Sequence, residues 1–204
     1  MGLLATAPEG GDFELAPEGN HLAVCYMVCD LGYHEKEWQG VTNSKRQVRL
    51  AFELSGAAME DGQPFSVSQN YTLSLSPKAN LTRDLQSWRG KQFTDEELQG
   101  FDLFNVLGKP CLVNVIHNKS QDGQKTYANI ASIAALPKGM AVPETANSLV
   151  RFSLDEFDQN VFNSLPDWLQ KKINVHGIDQ PPAYQSENPA PQGAVNFEDN
   201  DIPF

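Results

Sequence analysis

The chain has 204 residues, 40% of them apolar, which suits one domain of ordinary size with appendages. Its formal net charge is -11, from 26 acids against 15 bases, a balance that taken alone argues against a nucleic-acid partner. The longest uninterrupted apolar run, residues 22–29, is far too short to span a bilayer, and no basic segment followed by a long apolar one marks a secretory leader; a cytoplasmic location without membrane contact is expected.

The charge is unevenly spread. Residues 1–19 carry four acids and no base, and residues 141–204 carry ten acids against three bases. Residues 20–140 are left with twelve of each, so a neutral central domain can hold a basic groove between acidic ends.

Residues 1–20 are rich in Gly, Pro and Glu, with Ala-Pro-Glu-Gly at 7–10 and again at 16–19. Two copies of a tetrapeptide are no repeat architecture, and the segment reads as a flexible arm. Residues 22–33 are apolar on both faces, as a long central strand would be, and Gly32 permits a bend. A polar loop holding Trp38, Gly40 and Asn43 is expected next. In 45–54, Val48, Leu50, Phe52 and Leu54 alternate with Gln47, Arg49, Ala51 and Glu53, the mark of a half-buried strand. Asp61-Gly62 signals a turn into a third strand, 65–75, with Phe65, Val67, Tyr71 and Leu73 on its apolar phase.

The period then lengthens. Leu81, Leu85 and Trp88 recur at helical spacing, and Thr94-x-x-Glu97 is a capping box that opens a second short helix toward Phe104. Trp88, Phe101 and Phe104 are expected in the core. Strands return at 109–118 and, past the Asp122-Gly123 turn, at 125–136. Three strands, a helical insert and two more strands is the order of the OB-fold, a small Greek-key barrel that binds oligonucleotides. Beyond Pro137, Ser153-x-x-Glu156 predicts a helix through Phe157, Val161 and Phe162, and 166–173 predicts another short amphipathic helix. After Gly177 the chain has Pro181, Pro182, Pro189 and Pro191, few apolar residues and no Lys or Arg, which reads as a disordered linker leading to the tip. The expected fold is therefore mainly β. It comprises a flexible arm (1–20), a five-stranded OB-fold domain (21–140) with a helical insert between strands 3 and 4, a helical extension (141–175), and a disordered acidic tail (176–204).

Catalytic patterns are absent: there is no G-x-x-x-x-G-K-[ST], H-E-x-x-H or G-x-S-x-G. The myristoylation pattern at Met1–Thr6 and the Asn-x-Ser/Thr triplets at Asn70, Asn80 and Asn118 are too permissive to carry weight. Asp95-Glu96-Glu97 reads as acids complementing a helix N-terminus rather than metal ligands. Cys25, Cys29 and Cys111 form no C-x-x-C; Cys25 and Cys29, in an apolar run, read as small hydrophobes in a reducing compartment, and the four histidines are scattered. No enzyme activity, metal or cofactor is expected.

Single-strand binding needs none of these. It needs cations along the phosphates and aromatic faces for the bases. The loop after the first strand offers Tyr33, Trp38, Lys45 and Arg46, with Arg49 facing outward on the second strand. The last hairpin offers Lys119, Lys125 and Tyr127. These positions fall on the elements with which OB-folds bind oligonucleotides.

The final residues, Asn196 to Phe204, are acidic and end in Ile202-Pro203-Phe204. A terminal Phe can enter an apolar pocket while a basic group on a partner takes its carboxylate, and Asp199 and Asp201 steer the segment toward a basic surface. This tip resembles that of bacterial single-stranded-DNA-binding proteins, which ends in a run of Asp followed by Ile-Pro-Phe; here Asn200 replaces one acid. The resemblance implies sequence-independent coating of single-stranded DNA in replication, recombination or repair, with partner enzymes recruited through Asp199, Asp201, Ile202, Pro203 and Phe204. The long insert and the extension at 141–175 look more like a phage-encoded member, and a homo-oligomer is compatible with the sequence. A second reading is an OB-fold adaptor or decoy that engages host tip-binding enzymes and binds little DNA itself.

Overall fold

The computed structural model describes residues 14–38, 41–120 and 122–173. Within them the order is β1 (Gly19–Trp38), β2 (Val41–Ala58), β3 (Pro64–Thr72), α1 (Asn80–Arg89), α2 (Asp95–Gln99), a 3-10 turn (Leu103–Val106), β4 (Pro110–Lys119), β5 (Thr126–Ala134), β6 (Val150–Phe152), α3 (Gln159–Ser164) and α4 (Asp167–Lys172).

The molecule is mainly β, with one six-stranded sheet in the order β3-β2-β1-β4-β5 and β6 set against β1. Every pairing is antiparallel except that of β6, which runs parallel to β1 through Met27↔Val150 to Cys29↔Phe152. No ladder joins β3 to β5 among the described residues, although their Cα atoms come within 8 Å, so the sheet curls without closing by hydrogen bonds.

β1 is apolar from Leu22 to Cys29 because both of its faces are covered there. Ala23, Cys25 and Val28 point into the main core with Val48, Leu50, Phe52, Leu54, Val113 and Ile133. Met27, Cys29 and Leu31 point the other way, into a second cluster with Ala51, Phe152, Leu154, Leu165 and Leu169. The register shift between Cys25 and Met27 lets the strand change phase between the two. A second shift lies at Asp30/Gly32, where Gly32 takes φ 75 and the Asp30 carboxylate accepts a hydrogen bond from the Gly32 N–H at 3.0 Å.

α1 lays Leu81, Leu85 and Trp88 on the main core. Phe52, fully buried, meets Trp88 edge-to-face at 5.5 Å, and the indole N–H donates to the Pro110 carbonyl at 2.8 Å. Phe101 and Phe104 pack at the margin of that core, half-buried. The Thr94/Glu97 capping box forms as the sequence predicts.

Three expectations are corrected. The polar loop around Trp38 and Asn43 is instead the end of a long hairpin, paired up to Trp38↔Val41. Thr42 to Lys45 are exposed, so this two-stranded arm has no apolar phase from which a strand could be read. Second, the sheet has a sixth strand where only helices were expected. Third, Ser153 does not open a helix: its hydroxyl accepts from the Asp155 N–H, and Asp158 caps α3 instead.

Residues 144–173 wrap the outer side of β1 and β2. The Glu53 carboxylate, buried, accepts from the backbone N–H groups of Ala146 and Asn147, both at 2.8 Å. β6 follows beside β1, and α4 closes the second cluster with Leu169 and Ile173. Residues 14–18 dock too: Ala16 is buried, and Glu18 accepts from the His117 N–H at 2.8 Å.

Candidate nucleic-acid interface

Strand alternation on β2 sends Val48, Leu50 and Phe52 inward and Lys45, Gln47 and Arg49 to the outer face. Arg49 lies opposite Cys29 on β1 and Asn70 on β3, at the margin of the second apolar cluster. Its guanidinium donates to Asn70 Oδ1 at 3.0 Å and to the Ser68 hydroxyl, and lies 4.8 Å from the centre of the Trp168 ring. Burial draws its pKa below the ordinary arginine value.

Trp168 is 53% exposed although its neighbour Leu169 is fully buried. Successive helical residues point about 100° apart, so a helix that buries Leu165, Leu169 and Ile173 turns Trp168 away from the core. The next turn carries Lys172, whose pKa is lowered first by loss of solvent and then by the Arg49 charge. On the other side of Arg49, Asn70 also lines an open cleft of about 400 Å³ with Lys45, Thr72, Ser76 and Lys78. A line of side chains thus runs from α4 across β2 and β3: Lys172 and Trp168, then Arg49 with Ser68 and Asn70, then Lys45 and Lys78.

Charge pairing separates these cations from the arginines around them and from Lys91, although Lys109, Lys119, Lys125, Lys138 and Lys171 likewise meet no carboxylate among the described residues. Arg46, Arg83, Arg89, Lys91 and Arg151 each meet a carboxylate. Among the described residues no carboxylate pairs with Lys45, Arg49, Lys78 or Lys172. Four uncompensated cations on one face, with the Arg49 charge near enough to disfavour protonation of Lys172, form a surface that an anion would stabilise.

The sequence-predicted residues fall in three places. Lys45 and Arg49 belong to this line. Arg46 does not: it points inward and binds the buried Asp30 and, at 2.7 Å, Asp155, which raise its pKa. Tyr33 lies opposite Arg46 in the hairpin, half-buried, and Trp38 is the last residue of β1. Lys119, Lys125 and Tyr127 are exposed on the β4–β5 hairpin, Tyr127 by 49%. That hairpin extends past Gly19, the start of β1, whereas the β1–β2 arm extends past its other end. The sheet therefore does not bring the two sets together at one end of β1. Asp199, Asp201, Ile202, Pro203 and Phe204 lie outside the described residues.

Trp168, Lys172 and Lys78 are missed by sequence reasoning restricted to the strands. One signal was present: Trp168 falls off the Leu165, Leu169, Ile173 spacing and follows Asp167, which marks an exposed aromatic on a short helix. No group of three or more His, Cys, Asp or Glu side chains is placed to hold a metal ion among the described residues. None of their helices is long and apolar enough to cross a membrane. Comparison with protein-family models and with curated proteins finds no match.

Proposed function

We propose that this protein binds single-stranded DNA without sequence preference, along the outer face of β2 and β3, and serves DNA replication, recombination or repair. The observation that carries the reading is the set of cations without carboxylate partners, Lys45, Arg49, Lys78 and Lys172, interleaved with Trp168, Ser68 and Asn70 on that face. Phosphate tracking and base stacking require this combination of charge and aromatic surface. The sheet is read as an OB-fold variant. Its strand order, the helix α1 between β3 and β4, and the approach of β3 to β5 support that reading, with β6 as an added strand. Lys119, Lys125 and Tyr127 extend the DNA path along the β4–β5 hairpin. Asp199, Asp201, Ile202, Pro203 and Phe204 recruit replication or repair enzymes, a role supported by the acidic, Ile-Pro-Phe sequence alone.

Fluorescence anisotropy of a labelled oligo-dT and a matched duplex across a salt series tests this reading. Tight binding of the single strand, weak binding of the duplex and a moderate salt dependence are expected. No single-strand binding, by the full chain or by a chain lacking residues 196–204, would leave a protein–protein adaptor instead.

A further inference from the structure

We infer that Trp168, on the helix that follows the sheet, is a base-stacking platform of the interface, with Arg49 as the residue that holds its ring in place. The inference deepens the single-strand reading above and rests on it. Base-stacking aromatics of a β-barrel interface are sought on its strands and their loops, whereas this one comes from α4, packed onto the outer face from outside the strand path.

Two observations define the platform. The first is anchoring. Pro166 starts α4, its carbonyl accepting from the Leu169 and Gln170 N–H groups at 2.8 and 3.0 Å, while the Gln170 amide donates to the Leu165 carbonyl at 2.7 Å. With Leu165, Leu169 and Ile173 buried beneath it, the helix presents Trp168 from a fixed base rather than a loose tail. The second is the asymmetry of the ring's surroundings. The Arg49 guanidinium lies 4.8 Å from the ring centre and is itself tied to Ser68 and Asn70, yet about half of the indole remains in solvent. A tryptophan recruited only to cover core would bury that area. The occupant is fixed by charge: Arg49, Lys172 and the Lys45/Lys78 cleft, without carboxylate partners, suit a polyanion whose neutral rings need an aromatic face. A strand lying there stacks one base on Trp168 while its phosphates follow Lys172 toward Lys45 and Lys78.

Intrinsic fluorescence separates this residue from the other two tryptophans. Trp88 is buried against Phe52, and Trp38→Phe removes the third. In the Trp38→Phe protein, saturating oligo-dT should quench the exposed tryptophan emission, and the added change Trp168→Phe should abolish that quench. Trp168→Ala should weaken oligo-dT binding by roughly 5–150-fold, the range of one stacked base, with an unchanged salt slope because no charge is removed. Trp168→Phe, which keeps an aromatic face, should bind better than Trp168→Ala. Arg49→Lys keeps the charge but not the planar stacking, and should reduce the quench at unchanged salt slope. Wild-type affinity in Trp168→Ala, absence of the quench despite binding, or equal losses in the Phe and Ala variants would overturn the inference and leave the single-strand reading standing. If Trp168→Ala does not fold, the quench in the Trp38→Phe protein decides. Failure of the wild-type chain to bind oligo-dT would overturn both.

Discussion

Arg46 and Arg49, three positions apart on β2, show how one residue type divides between structure and surface. Arg46 falls on the inward phase, where Asp30 takes its Nε at 3.2 Å and its terminal nitrogen, and where Asp155 adds a second carboxylate. Asp30 also accepts from the Gly32 and Leu154 N–H groups, so one buried carboxylate ties the bend in β1 to β2 and to the segment after β6. Removing it would leave Arg46 without its buried partner. Asp30→Ala is expected to lose about 3–5 kcal/mol in urea unfolding, and a loss below about 1 kcal/mol would contradict the clasp. Charge-reversal tests of DNA binding should accordingly avoid Arg46, whose loss would disturb the fold before any surface.

The three buried thiols give a second prediction at this scale. Burial lifts Cys25 and Cys29 from 9.0 to about 12, and Cys111 further in the same direction. A folded-state value raised above the unfolded one contributes stability that is complete below the unfolded value and is lost as pH rises from there through the folded value. The denaturation midpoint should therefore stay level below about pH 9 and fall as pH rises from there toward about 12, and Cys29→Ala should flatten that fall. A midpoint that stays level through that interval would contradict the assignment. Tyr71, also raised by burial with its hydroxyl donating to Asp84, adds to the same alkaline loss.

Among the elements, legibility in the sequence follows the strength of the local signal. The spacing of Leu81, Leu85 and Trp88, and the capping pair Thr94 and Glu97, announce α1 and α2, because each helix carries its own instruction. The alternation on β2 likewise places Arg49 on the outer face. β6 has no such signal: three residues, Val150, Arg151 and Phe152, are a strand only because β1 offers them a free edge. The β1–β2 arm is also silent, since Thr42 to Lys45, all exposed, have no apolar rhythm to read. The interface is half legible for the same reason. Lys45 and Arg49 are visible from strand order, whereas Trp168 and Lys172 join them only when residues 144–173 fold back over β1 and β2.

That return segment is held by apolar packing as much as by its strand. Phe152 is buried on the outer face of β1 and touches both Phe157 and Phe162, at 5.7 and 5.8 Å between ring centres. Phe152→Ala is expected to cost about 3–5 kcal/mol and to loosen α3 and α4 together. Hydrogen exchange should show faster amide exchange across residues 159–172 than across β4 and β5; protection unchanged along α3 and α4 would mean that these helices are anchored elsewhere.

At the scale of the whole molecule, a chain of formal charge -11 presents a face of unpaired cations because its acids are concentrated near the ends. Among the remaining carboxylates, Glu53 is committed to the backbone of 146–147, Asp30 to Arg46, and Glu97 of α2 to Arg89 and its own cap. The exposed lysines Lys45, Lys78 and Lys172 take no part in the core, so they can be changed without unfolding the chain. The most direct measurement is oligo-dT binding by the triple variant Lys45→Ala, Lys78→Ala, Lys172→Ala against the wild type across a salt series. If the outer face of β2 and β3 carries the strand, affinity at low salt falls at least about tenfold and the slope of log affinity against log salt becomes shallower by about 2, roughly 0.7 for each phosphate that is no longer neutralised. A triple variant that binds oligo-dT with wild-type affinity and slope would contradict it.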